Sequence, residues 1–360
     1  MQNSTQSVLD FFGLKEQPFA ATADPSYFYA AREHKECLFR LWNSIDERHG
    51  IAVVLGNYGT GKTTLLRKLI TGMRTESDKY NTAVIGSPIP SWTSFSLLEN
   101  IITKFQLRPQ ERSFVALMET LNRYLLDNRH RINTLIIDDA QNLNKRGQLE
   151  LLRLAQNLET PQHKLLNLVF FSQLEWMHVL RAAPNFLQRV SLTFTLGSLE
   201  QDEIRDLIQF RLRQAGGGDR MPLFEEGAIR AIYAYTEGSP RTLVTLCRNA
   251  LLLAAQLRSR VIGQTIILHT IQKTMLPDKE RQARVAEALE MTPPSASASG
   301  SVSLATPAAL QMQTPGSFPL GEESAPIESG SMLSNRARAN RMLMRAARAA
   351  MDRQMPRGDQ

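Results

Sequence analysis

Through its first half and a little beyond, the chain alternates short apolar runs with longer stretches in which apolar residues recur every three or four positions. The runs are Ile51 to Leu55, Thr82 to Ile85, Leu135 to Asp138, Leu166 to Phe171 and Val190 to Thr195. Most lack polar alternation, which is expected of strands covered on both faces. Between them, Phe95 to Phe105, Phe114 to Leu126 and Gln148 to Asn157 have helical spacing, the last through Leu149, Leu152, Leu154 and Ala155. Strands alternating with helices predict an α/β fold, a doubly wound parallel sheet that receives its ligand at the carboxyl ends of the strands.

From Ser198 to about Leu276 the period becomes helical. Ile204, Leu207, Ile208 and Leu212 mark one helix, Ala228, Ile232 and Tyr235 a second, and Leu243 to Leu257 a third. This predicts a small all-helical domain. Ahead of the first strand, Phe11 to Phe19 and Tyr27-Phe28-Tyr29 form an aromatic lead-in, followed by a helix through His34, Leu38, Leu41 and Ile45. These aromatics are expected to pack under the α/β domain. The domain expectation is thus 1–48 lead-in, 49–197 α/β domain, 198–278 helical domain, 279–332 flexible linker and 333–360 basic amphipathic tail. The linker reading rests on residues 291–331, dense in Ser, Ala, Pro and Gly, which cannot offset the entropy of ordering and predict a disordered tail.

Composition changes this picture little. The 360 residues are 42% hydrophobic, no apolar run approaches the roughly 18 residues of a membrane span, and Met1-Gln2-Asn3-Ser4 lacks a signal-peptide pattern. Cys37 and Cys247 are the only cysteines and have no metal-ligand spacing, which suits a reducing compartment and predicts a cytoplasmic protein. The net charge of +7 is uneven: residues 333–360 carry +5 and residues 292–332 carry −3. A mild +5 is left for the rest, so overall basicity is weak evidence for nucleic-acid binding. In the tail, Arg338, Arg341, Arg345 and Arg348 share one helical face opposite Ala339, Met342, Leu343, Ala346 and Ala350. Such a helix on a tether is an attachment device for a partner protein, DNA phosphates or an anionic surface.

The chemistry begins where the first strand ends. Gly56-Asn57-Tyr58-Gly59-Thr60-Gly61-Lys62-Thr63, followed by Thr64 and Leu65-Leu66-Arg67-Lys68-Leu69, is a glycine-rich loop between a strand and a helix. Its glycines let backbone N–H groups turn onto a polyphosphate, and the helix adds its positive end. Lys62 is placed to reach the β and γ phosphates and Thr63 to ligate Mg²⁺, so ATP and Mg²⁺ are both expected. A second part lies at the end of the third strand: Asp138 is placed to orient the metal and Asp139 to polarise the attacking water. Gln173, at the end of the fourth strand, is a candidate contact to the γ-phosphate or the water. In Glu237-Gly238-Ser239-Pro240-Arg241, glycine and proline leave Arg241 at a helix N-terminus, where a cation opposes the dipole and a phosphate partner would explain it.

Together these features resemble the AAA+ ATPases of the ExeA and TnsC-like group over roughly residues 8 to 276. The motifs are Phe12-Gly13-Leu14 through Pro18-Phe19, Asp24-Pro25, His34, Gly56 to Thr63, Ile137-Asp138-Asp139-Ala140-Gln141-Asn142-Leu143, Gln188-Arg189-Val190 and Gly238-Ser239-Pro240-Arg241. The resemblance implies a P-loop NTPase fold with a helical lid, Arg241 as the lid's sensor arginine, and Arg189 as a finger reaching a neighbouring subunit's nucleotide, with Arg181 as an alternative. A contact in trans implies a ring or filament. Family members usually carry Glu where this chain has Asp139, which predicts slow hydrolysis and a long-lived ATP state. The resemblance further implies a DNA-associated, transposition-type regulator that grips duplex DNA. A factor assembling a secretion or pilus machine and an oligomerisation-gated signalling or defence ATPase remain as alternatives.

Overall fold

The computed structural model describes residues 4–22, 24–218, 223–275 and 278–290. In chain order the elements are α1 Ser4–Phe12, α2 Arg32–Asp46, β1 Ile51–Gly56, α3 Lys62–Thr75, β2 Tyr80–Ile85, α4 Ser94–Lys104, α5 Phe114–Asp127 and β3 Ile132–Ile137. They continue with α6 Arg146–Gln156, β4 Asn167–Ser172, α7 Trp176–Arg181, α8 Pro184–Leu187, β5 Val190–Leu196, α9 Gln201–Gln214, β6 Leu223–Phe224 and α10 Glu226–Thr236. The last are α11 Pro240–Gln256, β7 Val261–Ile262, α12 Gln264–Thr274 and α13 Lys279–Glu290.

The five long strands form one parallel sheet in the order β2-β3-β4-β1-β5. Strands β1, β3 and β4 are buried along their whole length, as their unbroken apolar runs predict. One face packs Ile51, Val53, Ile137 and Phe170 against the apolar sides of α4 to α8. The other packs Ala52, Val54 and Phe171 against Cys37 and Leu41 of α2 and Leu65 and Leu69 of α3. Helices thus cover both faces. From β1 the chain crosses to the far edge, returns through β3 and β4, and then places β5 on the opposite side of β1. The topological switch point therefore falls at the carboxyl end of β1, where open α/β sheets bind ligands.

A third core holds the helical domain together, and it differs from expectation. Val8, Leu9, Phe12, Leu14, Phe19 and Tyr27 pack with Leu207, Ile232, Leu246 and Leu251, so most of the aromatic lead-in completes the helical domain, while Phe28 and α2 lie against the sheet as expected. Lys15 donates its N–H to the Ala215 carbonyl at 2.8 Å, and Arg211 Nη1 donates to the Pro18 carbonyl at 3.1 Å. The reason is size: a domain this small buries too little surface by itself, and the lead-in supplies the missing apolar layer.

Two further boundaries are corrected. The lid is not wholly helical, because β6 and β7 pair in parallel through Leu223 with Val261 and Phe224 with Ile262. The flexible linker does not begin at 279, because residues 279–290 form α13. Asp278 starts that helix by accepting the Arg281 N–H at 3.1 Å. The Arg281 guanidinium then lies 5.7 Å from the Tyr235 ring centre, and Arg284 pairs with Glu237 at 3.3 Å. The rest of the expected linker, from 291, and the basic tail lie outside the described residues. Among the described residues no helix is long and apolar enough to cross a membrane. Both cysteines are free and buried, and burial pushes the Cys37 thiol up to about 12, so it serves as core.

Candidate nucleotide site

At the switch point the chain leaves β1, turns through Asn57 to Gly61 and enters α3. Gly59 and Gly61 take φ of +80° and +97°, a region that L side chains rarely adopt. Space matters as well at both positions. A Cβ on Gly59 would lie 2.8 Å from Ser239 Oγ and 2.9 Å from Arg241 Cβ, and one on Gly61 would lie 2.8 Å from His34 Nε2. Asn57 and Tyr58 form the exposed crest of the loop. Thr60 is buried and its hydroxyl donates to the Asn57 carbonyl at 3.0 Å.

The first intrahelical bond of α3 runs from the Leu65 N–H to the Gly61 carbonyl at 2.9 Å. The N–H groups of Lys62, Thr63 and Thr64 precede it and have no acceptor within the helix. They make a ready anion site at the positive end of a helix that is 14 residues long. Lys62 Nζ donates to the carbonyls of Gly56 and Asn57, each at 2.8 Å, which holds its cation inside the loop. Burial lowers the Lys62 pKa, while Asp138, Asp139 and Glu175 act in the opposite sense. A triphosphate supplies the charge this ammonium lacks.

The acids follow β3, beside that loop. Thr63 Oγ1 donates to Asp138 Oδ2 at 3.0 Å, joining two hard oxygen ligands of the kind Mg²⁺ takes when it keeps most of its waters. Burial raises the Asp138 carboxyl, and the Thr63 hydroxyl and the Asp139 N–H hold it down. A cation would relieve the desolvation that causes the rise. The donor set therefore fits the metal. Asp139 sits in the left-handed region at φ +50° and ψ +40°, a conformation that Asp tolerates better than most residues. Its N–H donates to Asp138 Oδ1 at 3.0 Å.

Most expected site residues converge here. Gly56 to Thr64, Asp138, Asp139 and the Gln173 backbone lie at the carboxyl ends of β1, β3 and β4. Arg241 arrives from the lid, its N–H donating to the Gly59 carbonyl at 3.2 Å. Arg189 does not join them. It precedes Val190, which pairs with Ile51 at the amino end of β1, so the full length of β1, roughly 17 Å, separates it from its own loop. Arg189 thus lies at the opposite end of β1 from the loop of its own chain. Arg181 ends α7 and is exposed.

Two site residues had received no role. His34 Nε2 lies 3.0 Å from the Thr60 carbonyl, and since the carbonyl only accepts, this nitrogen carries a proton. Gln141, in the short 3₁₀ turn Ala140–Asn142, bridges Asp139 to the end of β4. No signal in the sequence singles out Gln141, which stands beside the equally polar Asn142, Asn144 and Lys145.

The chain is similar to known proteins in sequence and in fold. The family model described as AAA domain matches residues 45–180. General secretion pathway protein A of Aeromonas hydrophila is 33% identical over 249 residues, which cover 68% of this chain and 44% of that protein. The chain thus spans under half the length of this relative. The Aeropyrum pernix ORC2 protein, in its ADPNP and ADP complexes, shares the fold with a TM-score of 0.53 at 15% identity over 72% of each chain. Cdc6p from Pyrobaculum aerophilum does so with a TM-score of 0.53 at 19% identity over 74% of each.

Proposed function

The chain belongs to the AAA+ P-loop ATPases of the ExeA-like group, and on that premise we propose that it is a nucleotide-dependent switch that binds and hydrolyses ATP with Mg²⁺. The observation that carries this reading is the 3.0 Å contact between Thr63 and Asp138, with Asp139 adjoining it at the mouth of the glycine-rich loop. The loop amides and Lys62 bind and orient the polyphosphate. Asp139 accepts a proton from the water that attacks the γ-phosphorus, and the bond to the bridging oxygen breaks to leave ADP. Thr63 and Asp138 are the residues that would hold Mg²⁺, which when bound would supply positive charge against the phosphate oxygens. Gln173 contacts the γ-phosphate or the water, and Arg241 contacts the phosphates from the lid.

Assembly belongs to the same reading. With Arg189 at the far end of β1 from its own loop, the finger acts between copies, and the ATP-bound form is the one that forms a ring or filament. Arg189→Ala is expected to bind ATP normally and to lose the rise in turnover per subunit with protein concentration. A variant that keeps this rise removes the finger role.

For the partner, the specific support is the 33% identical relative, whose name places it in a general secretion pathway. It favours a cytoplasmic ATPase that assists assembly of a secretion-type machine. The transposition-type DNA regulator draws on the motif resemblance, since the structural neighbours support only the shared fold. Binding of the full chain to duplex DNA and to vesicles of anionic lipid, with ATP and without, separates the two. ATP-dependent, strongly salt-sensitive DNA binding favours the regulator. Vesicle binding without DNA binding favours the assembly factor.

A further inference from the structure

We infer that Gln141 is a positioning residue for hydrolysis: its side-chain amide fixes the Asp139 carboxylate and ties it to the end of β4. This rests on the reading of Asp139 as acceptor of the water's proton.

The orientation of the amide follows from its neighbours. The Gln173 N–H lies 3.3 Å from Gln141 Oε1 and can only donate, so the carbonyl end of the side chain faces β4. The buried Ser172 hydroxyl donates to the same oxygen at 3.2 Å. The NH₂ end is then turned onto Asp139 Oδ1 at 3.0 Å, where the carboxyl oxygen accepts. One carboxylate oxygen is held and the other is left for the water.

Such a brace matters at this position. Asp139 lies two residues beyond Ile137, the last ladder residue of β3, and its left-handed backbone turns it out of the strand direction, so the sheet does not orient the side chain. Its reach is also short. A hydrogen bond from an amide anchored at two points removes the rotamer freedom that would otherwise disperse the carboxylate. Because Oε1 is shared with the backbone of Gln173, a movement of the β4 end on contact with the γ-phosphate is passed directly to Asp139. Gln141 therefore connects the residue that senses the phosphate with the residue that acts on the water.

The test uses the full chain with ATP and Mg²⁺ and compares Gln141→Ala, Gln141→Met, Asp139→Asn and Gln141→Ala with Asp139→Asn. Methionine keeps the volume of glutamine and removes the donor, so it separates packing from orientation. Both Gln141 variants are expected to lose roughly 10- to 100-fold in kcat, with the nucleotide Kd and the melting temperature unchanged. If Gln141 acts through Asp139, the double variant turns over no more slowly than Asp139→Asn alone. Undiminished kcat in Gln141→Met, a Kd that weakens in parallel with kcat, or losses that multiply in the double variant would each overturn the assignment. Full turnover by Asp139→Asn would remove the underlying role of Asp139, and this one with it. A stalled Asp139→Asn beside a fully active Gln141→Met rejects only the positioning role.

Discussion

The backbone N–H of Arg241, at the start of α11, donates to the carbonyl of Gly59, just past the crest of the phosphate loop, at 3.2 Å. The lid and the loop therefore meet backbone to backbone. Gly59 permits this because it has no Cβ to strike Arg241 and Ser239 and because its φ is +80°. The contact gives the lid a direct means of responding to what the loop holds.

Gly59→Ala tests that relationship. The added methyl meets Arg241 Cβ at 2.9 Å and imposes a left-handed alanine, at a cost of about 1–3 kcal/mol. Nucleotide affinity is expected to fall at least about tenfold as loop and lid are pushed apart, which is 1.4 kcal/mol of binding. Calorimetric titration with an ATP analogue reads the affinity, and a thermal melt reads the strain.

Asp139→Asn separates chemistry from binding. Asparagine tolerates the left-handed backbone, so the fold and the nucleotide affinity are expected to persist. Removing the charged acceptor should lower kcat by about 10²–10⁴-fold, the ordinary contribution of a general base. Steady-state turnover with a parallel binding measurement checks it, and wild-type kcat would remove the role.

His34 makes the site sensitive to pH. Burial holds its pKa below the ordinary 6.5, opposed by its bond to the Thr60 carbonyl. Between the lowered value and 6.5 the unfolded chain binds more protons than the folded one, so stability rises with pH through that window. The contribution is complete above 6.5 and is lost as the solution is acidified. Its slope cannot exceed about 1.4 kcal/mol per pH unit for this one group. Melts at a series of pH values should show a shallower acid limb for His34→Gln than for the wild type.

Phe12→Ala probes the reassigned lead-in. Phe12 is fully buried among helices of the lid, and truncating such a side chain costs about 3–5 kcal/mol. The loss is expected to be local: hydrogen exchange should accelerate in α9 and α11, while β1, β3 and β4 stay protected. Loss of protection in the sheet instead would return the lead-in to the α/β core.

Much of the molecule was legible because its signals are local. An unbroken β-branched and leucine run such as Leu135 to Ile137 reads as a strand buried on both faces, and a glycine-rich turn between such a strand and a helix marks an anion site. Where the reading failed, the deciding contact lay far along the chain. The lead-in aromatics are equally apolar against a sheet or a helix, and only the open side of the lid core chose between them. Helix α13 was hidden because its contacts lie far along the chain: Val285 enters the lid core, and Arg281 and Arg284 reach Tyr235 and Glu237. The role of Gln141 was invisible until β4 lay beside β3, since its partners are Asp139 just beyond the end of one strand and Ser172 and Gln173 at the end of the next.

What the linear order of residues determined by itself was the parallel sheet, the phosphate loop and the acids of β3, because periodicity, glycine and strand ends act within a few neighbouring positions. What only the tertiary structure decided was which surfaces meet: lead-in with lid, Arg241 with Gly59, Gln141 with Asp139, and Arg189 with none of its own chain's phosphate site. Those pairings depend on strand order and on competition among similar apolar faces, and burial free energy does not distinguish one such face from another until the whole chain has packed.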